Sequence, residues 1–195
     1  MIDDLDNTLE KLLRRELPAS LLSQIAITFA TPDQHFPPST VVLPAIDFFL
    51  YDLRESRELR SNQWTIERRP DGSTARLAPP VWVECSYLVT AWPSSTVPDP
   101  ARDEHRILGE VTRVLLRYPT LPAEFLQGSL RDGGVPAPTS ALQPGKLNNL
   151  SEFWQAMGGK PRAVINYVVT IAIPGVPPAD AGPVAVDSRA GVTGS

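Results

Sequence analysis

Cysteine is almost absent from this chain. Cys85 stands alone among 195 residues, which excludes an internal disulfide and any Cys-x-x-Cys zinc pair. Histidine is nearly as scarce, with only His35 and His105. A metal centre takes three or four ligands held by an ordered outer shell. Asp103, Glu104 and His105 are consecutive, so a helix points them in different directions rather than at one ion. A surplus of positive charge is also missing. Lys plus Arg number 18 against 22 Asp plus Glu, the net charge is −4 and the pI is near 5.2, which argues against a nucleic-acid partner. Lysine itself is rare, 3 against 15 arginines, a bias that points to a GC-rich coding sequence more than to a function. No apolar run approaches the ~20 residues of a membrane span. The opening MIDDLDN is acidic and polar, unlike a signal peptide, so synthesis in the cytoplasm is expected.

The catalytic motifs are missing as well. There is no Gly-x-Ser-x-Gly elbow, LQGSL at 126–130 being only a fragment of one. No phosphate-binding Gly-x-x-x-x-Gly-Lys-Ser/Thr loop and no Gly-x-Gly-x-x-Gly turn occur. GGKP at 158–161 follows a helical pattern instead of a strand and reads as a helix stop.

What is present is a regular alternation of elements. Leu5, Leu9, Leu12, Leu13 and Leu17 recur at helical spacing, with Asp3 or Asp4 as cap and Pro18 as stop. Ile25, Ile27 and Phe29 alternate with Ala26 and Thr28 as a half-buried strand does. Pro32, Pro37 and Pro38 mark a loop, and 42–53 reads as a central strand. Trp64, Ile66 and Arg68 alternate again. Asp71-Gly72 then supplies a turn, and one return strand is expected from about Arg76 to Trp92, starting or kinking at Pro79-Pro80. PDPARDEHRILGEVTRVLLRYP predicts a long helix capped by Asp99 with Pro100 at its first position. A short helix from Pro122 to Leu126, a mixed loop over 127–147, a helix over NLSEFWQAMGG and a last strand over 164–173 follow. The order predicts an α+β fold, a mostly antiparallel or mixed central sheet flanked by helices, as one domain over 1–173. Residues 174–195 are small, Pro- and Gly-rich, and read as a flexible tail.

Three groups of side chains invite chemistry. Cys85 falls on the apolar face of its strand with Val81, Val83, Tyr87 and Val89, which reads as a small core hydrophobe before a nucleophile. Asp47 and Asp52 bracket an apolar run. A glycosidase-like pair has no support, and an exposed or salt-bridged strand carboxylate is the simpler reading. Strict alternation puts Asp47 with Phe49 and Tyr51. Trp64, Trp82, Trp92 and Trp154 read either as packing beneath a helix or as contacts to another protein, where Trp, Tyr and Arg are enriched.

The stretch FFLYDLRESRELR, 48–60, is the least ordinary part of the chain. A run of apolar residues ends at Tyr51 and passes into Asp52, Arg54, Glu55, Arg57, Glu58 and Arg60, with the signs interleaved. That balance does not make a phosphate groove. As a solvated loop the charges contribute about 0–1 kcal/mol per pair. As a contact between copies, alternating signs can meet their complement on the next subunit, and a repeated head-to-tail contact closes a ring. On composition alone the solvated loop is the plainer of the two.

Five segments together carry a family resemblance: IDDLDNTLEKLLRRELP (2–18), LPAIDFFLYDLRESRELRSNQW (43–64), APPVWVECSYLVTAW (78–92), EHRILGEVTRVLLRYPTLP (104–122) and EFWQAMGGKPRAVINYVVTIAI (152–173). They resemble the cap, or tail-terminator, subunits of bacterial extracellular contractile injection systems, phage-tail-like particles with an inner tube and a contractile sheath. The resemblance runs in order over 2–173, and some relatives carry a further domain where this chain has its tail. It implies a fold like phage tail terminators and a homo-hexameric ring that ends tube growth and anchors the last sheath layer. The implied partners are further copies of itself, the tube protein and the sheath protein, with no nucleic acid, membrane, cofactor or metal, in a particle that can leave the cell. It implies no enzyme activity. Under it the charged block, Arg54, Glu55, Arg57, Glu58 and Arg60, together with Trp64, Trp82 and Trp92, becomes the expected subunit or tube contact. Two alternatives stand beside it: a baseplate or sheath adaptor of the same particle, and a small enzyme using carboxylates.

Overall fold

The computed structural model describes residues 1–68, 74–147, 149–175 and 179–180. In chain order its first elements are α1 (Ile2–Glu16), α2 (Ala19–Leu22), β1 (Ala26–Thr28), β2 (Ala45–Glu55), β3 (Thr65–Arg68), β4 (Thr74–Leu77) and β5 (Val81–Trp92). Then come α3 (Pro100–Arg117), β6 (Thr120–Leu121), α4 (Gly128–Gly133), β7 (Ala137–Ala141), α5 (Leu150–Ala156), β8 (Ile165–Ile173) and β9 (Ala179–Asp180). Six strands form one sheet in the order β1-β2-β5-β8-β7-β6, and β3-β4-β9 form a second, smaller one. Among the described residues only the β1–β2 pair is parallel, and the other ladders are antiparallel. The expected α+β sheet with flanking helices is therefore what the chain builds.

The two long helices cover one face of the large sheet. The leucine stripe of α1 (Leu5, Leu9, Leu12 and Leu13) is fully buried, as are Ile107 and Val111 of α3. They pack in one cluster with Phe48, Cys85, Tyr87, Val89 and Tyr167. Asp99 caps α3 through its side chain, which accepts a hydrogen bond from the Arg102 amide at 3.2 Å, and Pro100 fills the first turn. On the opposite face α5 packs against β2. Trp154 is 2 % exposed, and the Phe153 ring lies 6.0 Å from Phe49 of β2. Asn149 caps α5 by accepting from the amides of Ser151 and Glu152, and Gly158, at φ +70°, ends it.

Several expectations change. Neither Asp3 nor Asp4 caps α1; Met1 is its N-cap and both acids lie in the first turn. Asp4 instead accepts hydrogen bonds from the amide and hydroxyl of Ser129 at 3.1 and 2.6 Å, clipping α1 to α4. No helix opens at Pro122. The Gln127 amide donates to Thr8 Oγ1 at 3.0 Å, so 122–126 stays a turn and the helix forms at α4, inside the expected loop. The single return strand is two strands in different sheets, because Pro79 and Pro80 offer no amide to a ladder. The Asp71-Gly72 turn lies outside the described residues, and so does most of the tail. Ala179 and Asp180 pair with Arg76 and Ala75 of β4.

Candidate functional site

Asp47 and Cys85, the two single residues with chemical promise, are both deep in the fold. Asp47 has no exposed surface. It is neither exposed nor salt-bridged, contrary to expectation. Its Oδ1 accepts from the Ala30 amide at 3.0 Å, and its strand neighbours in register are Thr28 and Thr90. Burial pushes its carboxyl up to about 8, against the smaller opposing effect of the Ala30 hydrogen bond. A β-bulge at Tyr51 shifts the register, so that Leu50 faces Tyr87 while Asp52 faces Ser86. Asp47 and Asp52 thus stand on the same face but about 13 Å apart along the strand, too far for a glycosidase pair. Cys85 is buried in the main cluster, where the loss of solvent raises its thiol to about 11. His35 sits in the 31–44 loop and His105 on the solvent side of α3, both exposed. Among the described residues no group of three or more His, Cys, Asp or Glu could hold a metal ion.

The charged stretch lies where β2 leaves the cover of the helices. The first four residues of β2 are buried and the next four half-buried; Leu53, Arg54 and Glu55 are exposed. Arg54 stands opposite Glu84 in the ladder and makes an ion pair with Asp52 at 2.7 Å, without hydrogen-bond geometry. Arg60 reaches back to Glu55 at 3.4 Å. Arg57 and Glu58 are exposed and make no ion pair among the described residues. The turn is nonetheless anchored: Ser56 is buried, and its amide donates to the Trp82 carbonyl at 2.8 Å. Exposed pairs of this kind add little stability, so folding does not account for a block this dense in charge.

Three side chains of the expected contact meet at this end. Glu55, Arg60 and Trp82 line a cleft of about 160 Å³ against Pro79 and Pro80, and Arg54 adjoins Glu55. Trp64 follows just before β3, 42 % exposed, with the Arg76 guanidinium 4.6 Å from its ring centre. Trp92 is not brought here. It ends β5, ten residues and roughly 30 Å beyond Trp82. There Phe36 lies 4.2 Å and the Arg162 guanidinium 3.9 Å from its ring, and its Nε1 donates to Thr90 Oγ1 at 2.9 Å. Arg162 is fixed in turn by Glu104 at 2.6 Å.

The residues missed from the sequence are apolar. Leu53, Leu59, Ile66 and Val81 stand exposed around the same end, Ile66 at 69 %. The alternation Trp64, Ile66, Arg68 is visible in the sequence, and its apolar members face outward. Exposed apolar side chains interspersed with arginines have the composition found at protein contacts. Among the described residues no helix is long and apolar enough to cross a membrane.

Comparisons with known proteins give the site a context. The family model for the Pvc16 N-terminal domain matches residues 4–186. Two solved cryo-EM structures share the fold. One is the sheath/tube terminator, in the extended state, of the extracellular contractile injection system PVC, with a TM-score of 0.70 and 28% identity over 100% of this chain and 65% of that one. The other is the tube-terminating cap of the anti-feeding prophage, with a TM-score of 0.67 and 28% identity over 95% of this chain and 59% of that one. The chain therefore spans less than two thirds of the length of either structure. No curated protein sequence matches it.

Proposed function

Because the chain belongs to the Pvc16 N-terminal domain family, we propose that it acts as a tail terminator, ending the tube of a contractile injection system. The observation that carries this reading is the likeness to the PVC sheath/tube terminator along the full length of this chain, at a TM-score of 0.70. Residues 1–173 form the terminator unit. Six copies make a ring whose one face fits the growing end of the tube and whose other face offers the tube protein nothing to bind, so growth stops sterically. The same ring holds the last layer of sheath. Its role is structural and not catalytic, which the buried state of Asp47 and Cys85 supports. The subunit is made in the cytoplasm and leaves the cell as part of the particle.

In this reading Arg54, Glu55, Arg57, Glu58, Arg60, Trp64 and Trp82 lie at a contact with a neighbouring subunit or the tube. All but the half-buried Trp82 are exposed at one end of the sheet, unexplained by stability, and that supports it. The test is deletion of the gene in the source bacterium, with particle length measured by negative-stain electron microscopy. Overlong, sheathless or missing particles are expected. Full-length contractile particles with an unchanged length distribution would refute the terminator role.

A further inference from the structure

The three-stranded sheet has two faces of opposite character. Cross-strand partners share a face, and Ile66 stands opposite Arg76. Arg76 in turn lies over Trp64, so all three are on one side. That side is open, with Ile66 69 % and Trp64 42 % exposed. On the other side Ala75 is 2 % exposed, and Leu77 lines a cavity of about 360 Å³. Leu126, Leu130, Val135 and Ile171 are among the residues that line it, and Ser129 brings the one hydroxyl side chain. An apolar knob and an apolar hole therefore sit back to back on one small sheet.

We propose that the outward face of this sheet in one copy docks into the cavity of the next copy, with Ile66 entering and Trp64 beside it. This rests on the terminator reading and supplies the contact that the ring needs. The occupant is a second copy for three reasons. First, knob and hole point in opposite directions, so a like-with-like contact leaves the cavity empty, whereas a head-to-tail contact fills it and repeats by rotation until it closes. Second, five of the eight large apolar side chains most exposed on the described surface lie between 53 and 81, around the knob: Leu53, Leu59, Trp64, Ile66 and Val81. Third, the charges complement each other. The outward side of β3 and β4 carries Arg68 and Arg76 and no carboxylate among its described residues. Asp4, which binds Ser129 of the hole's lining, is already paired with the Met1 amino group at 3.2 Å, and the carboxylate left to meet those arginines is Asp132. Asp132, beside Arg131, is exposed and makes no ion pair among the described residues.

The test is site-directed cross-linking in assembled particles. Ile66→Cys and Val135→Cys are made singly and together in the full chain, and purified particles are treated with a short bismaleimide. Cys85 is buried and stays out of the reaction. The double variant is expected to give a ladder of dimer, trimer and higher species, while each single variant stays monomeric. A mixture of the two single variants is expected to give dimers only. Protein present in the particles but monomeric in the double variant would overturn this contact and leave the terminator role standing. Protein missing from wild-type particles would overturn both. A second variant, Ile66→Asp, changes an exposed residue and leaves the fold intact; its occupancy on particles is expected to fall more than tenfold, and unchanged occupancy would overturn the proposal.

Discussion

Replacing Asp47 with asparagine should make the protein's stability less dependent on pH. The carboxyl sits at about 8 in the folded chain against an ordinary 3.8, and burial is the main cause. Between those values the native state holds a proton that the unfolded state has released, so stability falls as pH rises. The contribution is fully present below about pH 4 and is lost as pH rises through about 8. About four pKa units at 1.36 kcal/mol each set a ceiling near 5 kcal/mol. Asparagine keeps the carbonyl that the Ala30 amide needs and cannot ionise. It does place an NH2 where Oδ2 has no hydrogen-bond partner, a fixed cost of about 1–3 kcal/mol. That cost does not vary with pH, so the slope is the quantity to read. Urea unfolding of both proteins, followed by the fluorescence of buried Trp154, gives the difference at each pH and cancels every other titrating group. The variant should gain on the wild type by several kcal/mol between pH 5 and 8.5. A difference that stays flat across that range would mean Asp47 does not titrate there, and the burial argument would be wrong.

Three further outcomes follow from the geometry. Changing Arg54, Arg57 and Arg60 together to Glu should alter unfolding free energy by no more than about 2 kcal/mol, since it breaks two surface ion pairs, Arg54–Asp52 and Arg60–Glu55, worth about 0–1 kcal/mol each, while cap incorporation into particles is lost; normal incorporation would remove the charged turn from the contact. Gly128→Ala should cost about 2 kcal/mol or more in urea unfolding, because the residue has φ +49° and a Cβ there would meet Asp4 Oδ1 at 2.0 Å; an unchanged midpoint would show that the α1–α4 clip yields freely. Asp99→Ala removes the cap of α3 and should cost about 1 kcal/mol by the same assay, and no loss would mean that water satisfies the Arg102 amide equally well.

Long periodic segments were legible before any coordinates. The leucine stripe of α1, the Asp99-Pro100 start of α3 and the alternation of β8 each repeat one period long enough to leave no rival. What failed was local and set by partners far away in sequence. Gln127 gives its amide to Thr8, and no window around Pro122 contains that fact. The break at Pro79-Pro80 was visible as a kink, but the assignment of β4 to a second sheet depends on β3 and β9. At the candidate site the charges could be read and the exposed apolar partners could not. Ile66 in a strand looks the same whether its face is covered or open. Exposure is the usual fate of a carboxylate, whereas Asp47 is buried with one hydrogen bond, from the Ala30 amide, and burial raises its pKa enough to keep it protonated at neutral pH.

The bulge at Tyr51 bears on how the chain can change length. Leu50 and Asp52 already face consecutive residues of β5, Tyr87 and Ser86. A chain lacking Tyr51 would therefore keep every rung on both sides, with Asp47, Phe49, Asp52 and Arg54 still on one face. The side-chain hydrogen bond lost with it would be the one the Lys146 amide donates to the Tyr51 hydroxyl at 3.1 Å. An alignment gap at this position is thus a neutral event for the core. Insertions or gaps on either side of it, by contrast, would swap the buried and solvent-facing rows of β2.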